Sequence, residues 1–66
     1  MARLSKGERQ DRENALYRLL RRLRFGVRES EIAQELGWQR RTANNYLRKL
    51  EREERAEREG PSWFAK

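Results

Sequence analysis

Residues 40 to 52 read RRTANNYLRKLER, and their polar side chains include the two types best suited to reading the edge of a base pair. An arginine can donate two hydrogen bonds to one guanine, and an asparagine can pair at two points with one adenine. On a helix, at about 100° per residue, Arg41, Asn45, Arg48 and Arg52 lie opposite the apolar stripe of Ala43, Tyr46, Leu47 and Leu50. Asn44 joins the outward side, and Arg40, near the helix start, can reach bases or backbone. Gln39 and Thr42 stand where short polar side chains and free backbone N–H groups suit a phosphate, with Lys49 flanking the same face. Any one of these residues alone reads as a solvated surface group. Their clustering carries the signal, because residues 39–49 hold Arg40, Arg41, Arg48 and Lys49 with no acid.

The stretch that must position this face is Glu29 to Leu50, two short helices joined by a glycine turn. Ile32, Ala33 and Leu36 recur at helical spacing, and Gly37 tolerates the left-handed backbone with which helices often end. Ala33 has almost no side chain where two crossing helices would approach most closely. Glu29, Glu31 and Glu35 make the first of these helices acidic beside a basic second one. Arg28 stands at the cap position, and the early glutamates compensate by favouring the positive end of the helix dipole, by a few tenths of a kcal/mol (~0.3).

The residues EIAQELGWQRRTANNYLRKLE, with a small residue, a turn glycine and inward apolar residues in that order, resemble the winged helix-turn-helix at the N-terminus of bacterial DeoR-type and WYL-domain transcription regulators. The resemblance covers about residues 11–66 and is strongest over 29–51. It implies sequence-specific binding of double-stranded DNA, with the third helix in the major groove. Arg40, Arg41, Asn44, Asn45 and Arg48 would then be the base contacts, and Gln39, Thr42 and Lys49 the backbone contacts. Trp38 stands where the family has an apolar core residue, so packing is expected of it rather than base stacking. The family usually has a serine or threonine cap where Arg28 stands, and a glycine after the third helix where Glu54 or Arg55 stands. Because the similar segment precedes a ligand-sensing, dimerising domain in those regulators, a chain ending at Lys66 reads as an excised fragment or a stand-alone small regulator. It is expected to be monomeric, with any dimer formed through a region outside this chain.

Upstream, Leu16, Leu19, Leu20 and Leu23 form a stripe at i, i+3, i+4 and i+7, with Gly26 as the stop. The span from Arg18 to Arg28 holds five arginines and no acid, a face that either meets phosphates or is solvated. Residues 1–6 are expected to fray, although Ser5 with Glu8 matches a capping box. Downstream, EREERAEREGPSWFAK allows two readings. Glu51 with Arg55 and Glu54 with Arg58 are favourable i, i+4 pairs for a continuing helix, which would have only Ala56 as an apolar residue. A hairpin of Arg55–Glu59 against Ser62–Ala65, turning at Gly60-Pro61, instead lets Trp63 cover the core. The hairpin is preferred, with one of Trp63 and Phe64 packed and the other exposed.

Sixty-six residues allow one small domain, whose apolar core supplies only about 3–5 kcal/mol. A net charge of +6 and a sequence pI of about 10.8 favour polyanions, nucleic acid before anionic membrane. The absence of cysteine and histidine excludes disulfides and the usual zinc sites. With one aspartate and no histidine to serve as a base for a serine, catalysis is not expected, nor is any cofactor or metal. No apolar run could span a bilayer and no signal peptide is evident, so a cytoplasmic protein is expected. The expected fold is mainly α: a single domain over 1–66 with helices at 7–25, 29–36 and 40–53 and a two-stranded wing over 55–65. Its expected core is Leu16, Leu19, Leu20, Leu23, Ile32, Leu36, Trp38, Leu47 and Leu50. The other functional reading is a helical protein-interaction or RNA-binding module using the same basic surface.

Overall fold

The computed structural model describes residues 6–66; of the stretch 1–6 expected to fray, Lys6 is already in a helix, and the rest, with the Ser5 cap, lies outside the described residues. Three helices, α1 (Lys6–Arg22), α2 (Glu29–Leu36) and α3 (Arg40–Arg52), are combined with strands β1 (Val27–Arg28), β2 (Ala56–Glu59) and β3 (Ser62–Ala65). The strands form one antiparallel sheet in the order β1-β3-β2. The molecule is thus mainly helical with a small sheet, and its C-terminal hairpin turns at Gly60-Pro61, where Gly60 has φ 60°.

Leu16, Leu19 and Leu20 of α1, Ile32 and Ala33 of α2, and Ala43, Leu47 and Leu50 of α3 meet in one core, closed by Val27, Ala56 and Trp63 from the three strands. Trp63 is 2% exposed and covers the core as expected. Leu23, Leu36 and Trp38 are only partly buried and pack on its margin. Phe64, expected to lie exposed if Trp63 packs, is half-buried against Gly26.

One boundary differs from the sequence reading, and the two readings of 51–59 are decided in favour of the preferred hairpin, each for an identifiable reason. Helix α1 stops at Arg22 rather than residue 25, because Leu23 makes the last α-type bond, to Leu19 O at 2.9 Å, and the chain then closes a turn through Gly26 N–H to Leu23 O at 3.0 Å. That turn delivers Val27 into a strand the sequence reading missed, pairing Val27 with Trp63 and Arg28 with Ser62. Helix α3 does not continue through 51–59. It ends at Arg52, and Glu54 takes the left-handed conformation, φ 60°, from which the chain turns into β2. Continuing the helix would forgo the burial of Ala56 and the pairing of β2 with β3.

Candidate nucleic-acid interface

The orientation of α3 is set at both of its ends. Before it, α2 closes with Gly37 at φ 69°, whose N–H donates to Gln34 O, while the Trp38 N–H donates to Ala33 O at 2.8 Å. This double bond pattern caps the orphan carbonyls and needs a left-handed residue at the position Gly37 holds. Trp38 then folds beside Tyr46, ring centroids 5.3 Å apart and tilted by 40°, with the Arg12 guanidinium 5.8 Å from its ring. Its place is at the core margin, as packing required. At the start of α2, Arg28 caps through its backbone: its N–H donates to Glu31 Oε1 at 3.3 Å. Glu31 therefore supplies part of a capping box as well as dipole stabilisation.

With α3 held by Ala43, Leu47 and Leu50, its outward residues Arg40, Arg41, Asn45, Arg48 and Arg52 are exposed. Among the described residues none of these arginines is ion-paired with an acid. Gln39 is the exposed residue preceding the helix, with extended backbone, and Thr42 is half-buried in its first turn. Two of the expected contact residues have partners within the protein. Asn44 is half-buried and its Nδ2 donates to Glu29 Oε2 at 3.3 Å, tying α3 to the first turn of α2. Lys49 Nζ lies 3.0 Å from Glu13 Oε2.

Glu13 is the one buried charged side chain among the described residues. It also accepts from the Arg55 guanidinium at 3.2 Å, and that guanidinium lies 4.4 Å from the Tyr17 ring. A hydrogen bond with Glu53 holds the Glu13 carboxyl below its ordinary value, and Lys49 and Arg55 pull in the same direction against the effect of burial. The same carboxyl–carboxyl bond pushes Glu53 up. Two cations thus let a carboxylate sit under the α3–β2 corner, where an unpaired one would be costly.

Cations from other elements border α3 on two sides, and of these the sequence reading named only Arg28, within its arginine-rich span 18–28. On one side a cleft of about 310 Å³ is lined by Arg28, Glu29, Ser30, Arg40, Arg58, Gly60, Pro61 and Trp63, so that β1, α3 and the hairpin each contribute an arginine and α2 contributes Glu29 and Ser30. Arg58 lies over the Trp63 ring at 5.7 Å. On the other side, Arg9 of α1 joins Asn45, Tyr46, Lys49 and Arg52 around a hollow of about 350 Å³. Arg58 could have been found from strand alternation with Ala56. Arg9 carried no local signal, since its place depends on how α1 crosses α3.

No helix among the described residues is long and apolar enough to cross a membrane, and no group of acids there could hold a metal ion. No protein-family model, curated protein or solved structure matches this chain.

Proposed function

We propose that this chain is a winged helix-turn-helix domain that binds double-stranded DNA sequence-specifically, as the reading domain of a bacterial transcription regulator in the cytoplasm. The observation that carries the proposal is the unpaired, exposed stripe of Arg41, Asn45, Arg48 and Arg52 on α3, bordered by arginines from α1, β1 and the hairpin. A helix in the major groove needs base-reading donors on its outer side and phosphate-reaching cations to either side of it. The element order and the sheet order β1-β3-β2 support the winged reading, with β2–β3 as the wing.

Within this reading Arg41, Asn45 and Arg48 contact bases, and Arg9, Arg28 and Arg58 join Gln39 and Thr42 at the backbone. Asn44 acts mainly by fixing α3 through Glu29, and Lys49 contributes less than a free lysine because Glu13 already neutralises it. The domain alone is a monomer that reads one half-site.

Selection from random duplexes would supply a cognate sequence, after which cognate and scrambled duplexes are titrated across a salt series. Arg41→Ala and Asn45→Ala should each remove about 1–3 kcal/mol of discrimination. Arg58→Gln should weaken all sequences alike and lower the salt slope by about one. An unchanged cognate-to-scrambled ratio in both α3 variants would show that α3 is not the reader.

A further inference from the structure

The arginine-rich end of α1 is left unused by that reading, because none of the residues around it belongs to α3. Arg18, Arg21 and Arg22 are exposed along one side of the helix, and Arg24 is exposed in the turn that follows. The only acid within ion-pair distance of these four among the described residues is Glu35, 3.6 Å from Arg22. Beside them stands Phe25, 97% exposed, the only large hydrophobic side chain so exposed among the described residues. Its backbone is not loose: the Gly26 N–H closes the turn onto Leu23 O at 3.0 Å, and Gly26, at φ 93°, packs so closely that a Cβ there would come within 2.6 Å of Phe64 Cζ. The ring is therefore presented to solvent from a fixed turn. Its chain neighbour Arg24 joins Leu20, Arg21, Phe64, Ala65 and Lys66 in lining a groove of about 300 Å³, at the lower end of the range for ligand clefts.

We propose that this surface binds an unpaired nucleic-acid strand, with a base stacked on Phe25 and its phosphates held by Arg21, Arg24 and Lys66. The chemistry selects the partner. A duplex keeps its bases stacked on one another and would leave Phe25 idle, whereas an unpaired base offers a π-face to any accessible ring. An acidic peptide would satisfy the arginines, but its apolar side chains need an enclosing wall, and Phe25 has none. A stacked base needs one flat face only. The inference does not rest on duplex reading by α3, and either could fail alone.

The test is fluorescence anisotropy of a short labelled oligothymidylate with the full chain, with a duplex titrated in parallel. Phe25→Ala should weaken strand binding by roughly ten- to a hundredfold, the size of one lost base stack, while leaving duplex binding unchanged. Phe25→Trp should preserve strand binding. Arg21→Gln with Arg24→Gln should lower the strand's salt slope by roughly 0.7 for each phosphate no longer neutralised, and Arg41→Ala should not affect it. Because Phe25 is exposed, circular dichroism of Phe25→Ala should match the parent. No strand binding, strand binding indifferent to Phe25→Ala, or strand and duplex competing for the α3 face would each overturn the proposal. So would Phe25-dependent binding seen only with an acidic peptide or anionic vesicles.

Discussion

The turn after α2 and the corner after α3 are built from the same hydrogen bonds and from different residues. At the first, Gly37 N–H donates to Gln34 O and Trp38 N–H to Ala33 O; at the second, Glu54 N–H donates to Glu51 O and Arg55 N–H to Leu50 O at 2.8 Å. Each places its middle residue in the left-handed region, Gly37 at φ 69° and Glu54 at φ 60°. Glycine adopts that conformation readily, while a residue with a Cβ pays about 1–2 kcal/mol for it. The α2–α3 turn therefore follows from local preference. The α3–β2 corner is imposed from outside, by Ala56 entering the core and by Arg55 reaching Glu13 and Tyr17.

The heaviest blow to the second corner is Leu50→Ala, because the Leu50 side chain is fully buried in the core on which the corner rests. A loss of about 2–5 kcal/mol is expected in urea or thermal unfolding, enough to unfold much of so small a domain. Leu36→Ala should cost less, since Leu36 is only partly buried.

Glycine substitutions sharpen the contrast between turns that need only a backbone conformation and turns that also need space. Gly26→Ala combines positive φ with a collision against Phe64 and should cost about 1–3 kcal/mol from overpacking alone. An added Cβ at Gly37 meets nothing within 4 Å, so Gly37→Ala should cost only the conformational ~1 kcal/mol. Equal melting temperatures for the two variants would contradict the packing at Gly26.

Glu54→Gly relieves strain at the second corner and should raise stability by up to about 1 kcal/mol, the released strain being partly offset by glycine's greater freedom in the unfolded chain. A destabilised variant would mean that the Glu54 side chain contributes contacts that outweigh its strain.

The acid pair under that corner gives the smallest and most condition-dependent effect. Glu13 lies below its ordinary value of 4.5, so its contribution to stability is present above that value and is lost as pH falls through the lowered one. Glu53 is raised, so its contribution has the opposite sign: it is present below 4.5 and is lost as pH rises through the raised value. Stability should therefore peak at mildly acidic pH. Glu53→Gln should flatten the alkaline side of the peak and Glu13→Gln the acid side, as read by urea midpoints across a pH series. Identical profiles in all three proteins would exclude the shared hydrogen bond as their cause.

Much of the fold was legible locally because it repeats. The leucines of α1, the apolar stripe of α3 and Gly37 each satisfy a rule that involves only neighbours in the chain, so their helices and the turn could be read directly. Gly60-Pro61 with Trp63 likewise marked the hairpin, and the outward stripe of α3 followed from helical period alone. What the tertiary structure decided has no local period. β1 is two residues long and is a strand only because Trp63, far along the chain, pairs with Val27. Glu13 reads as one more solvated helix acid until Lys49 and Arg55 arrive from other elements and allow it to be buried. Asn44 faces outward by helical arithmetic, yet the crossing of α2 and α3 puts Glu29 within reach of its amide. Periodicity determines which side of an element is apolar; only packing against other elements determines which polar residues remain free to meet a ligand.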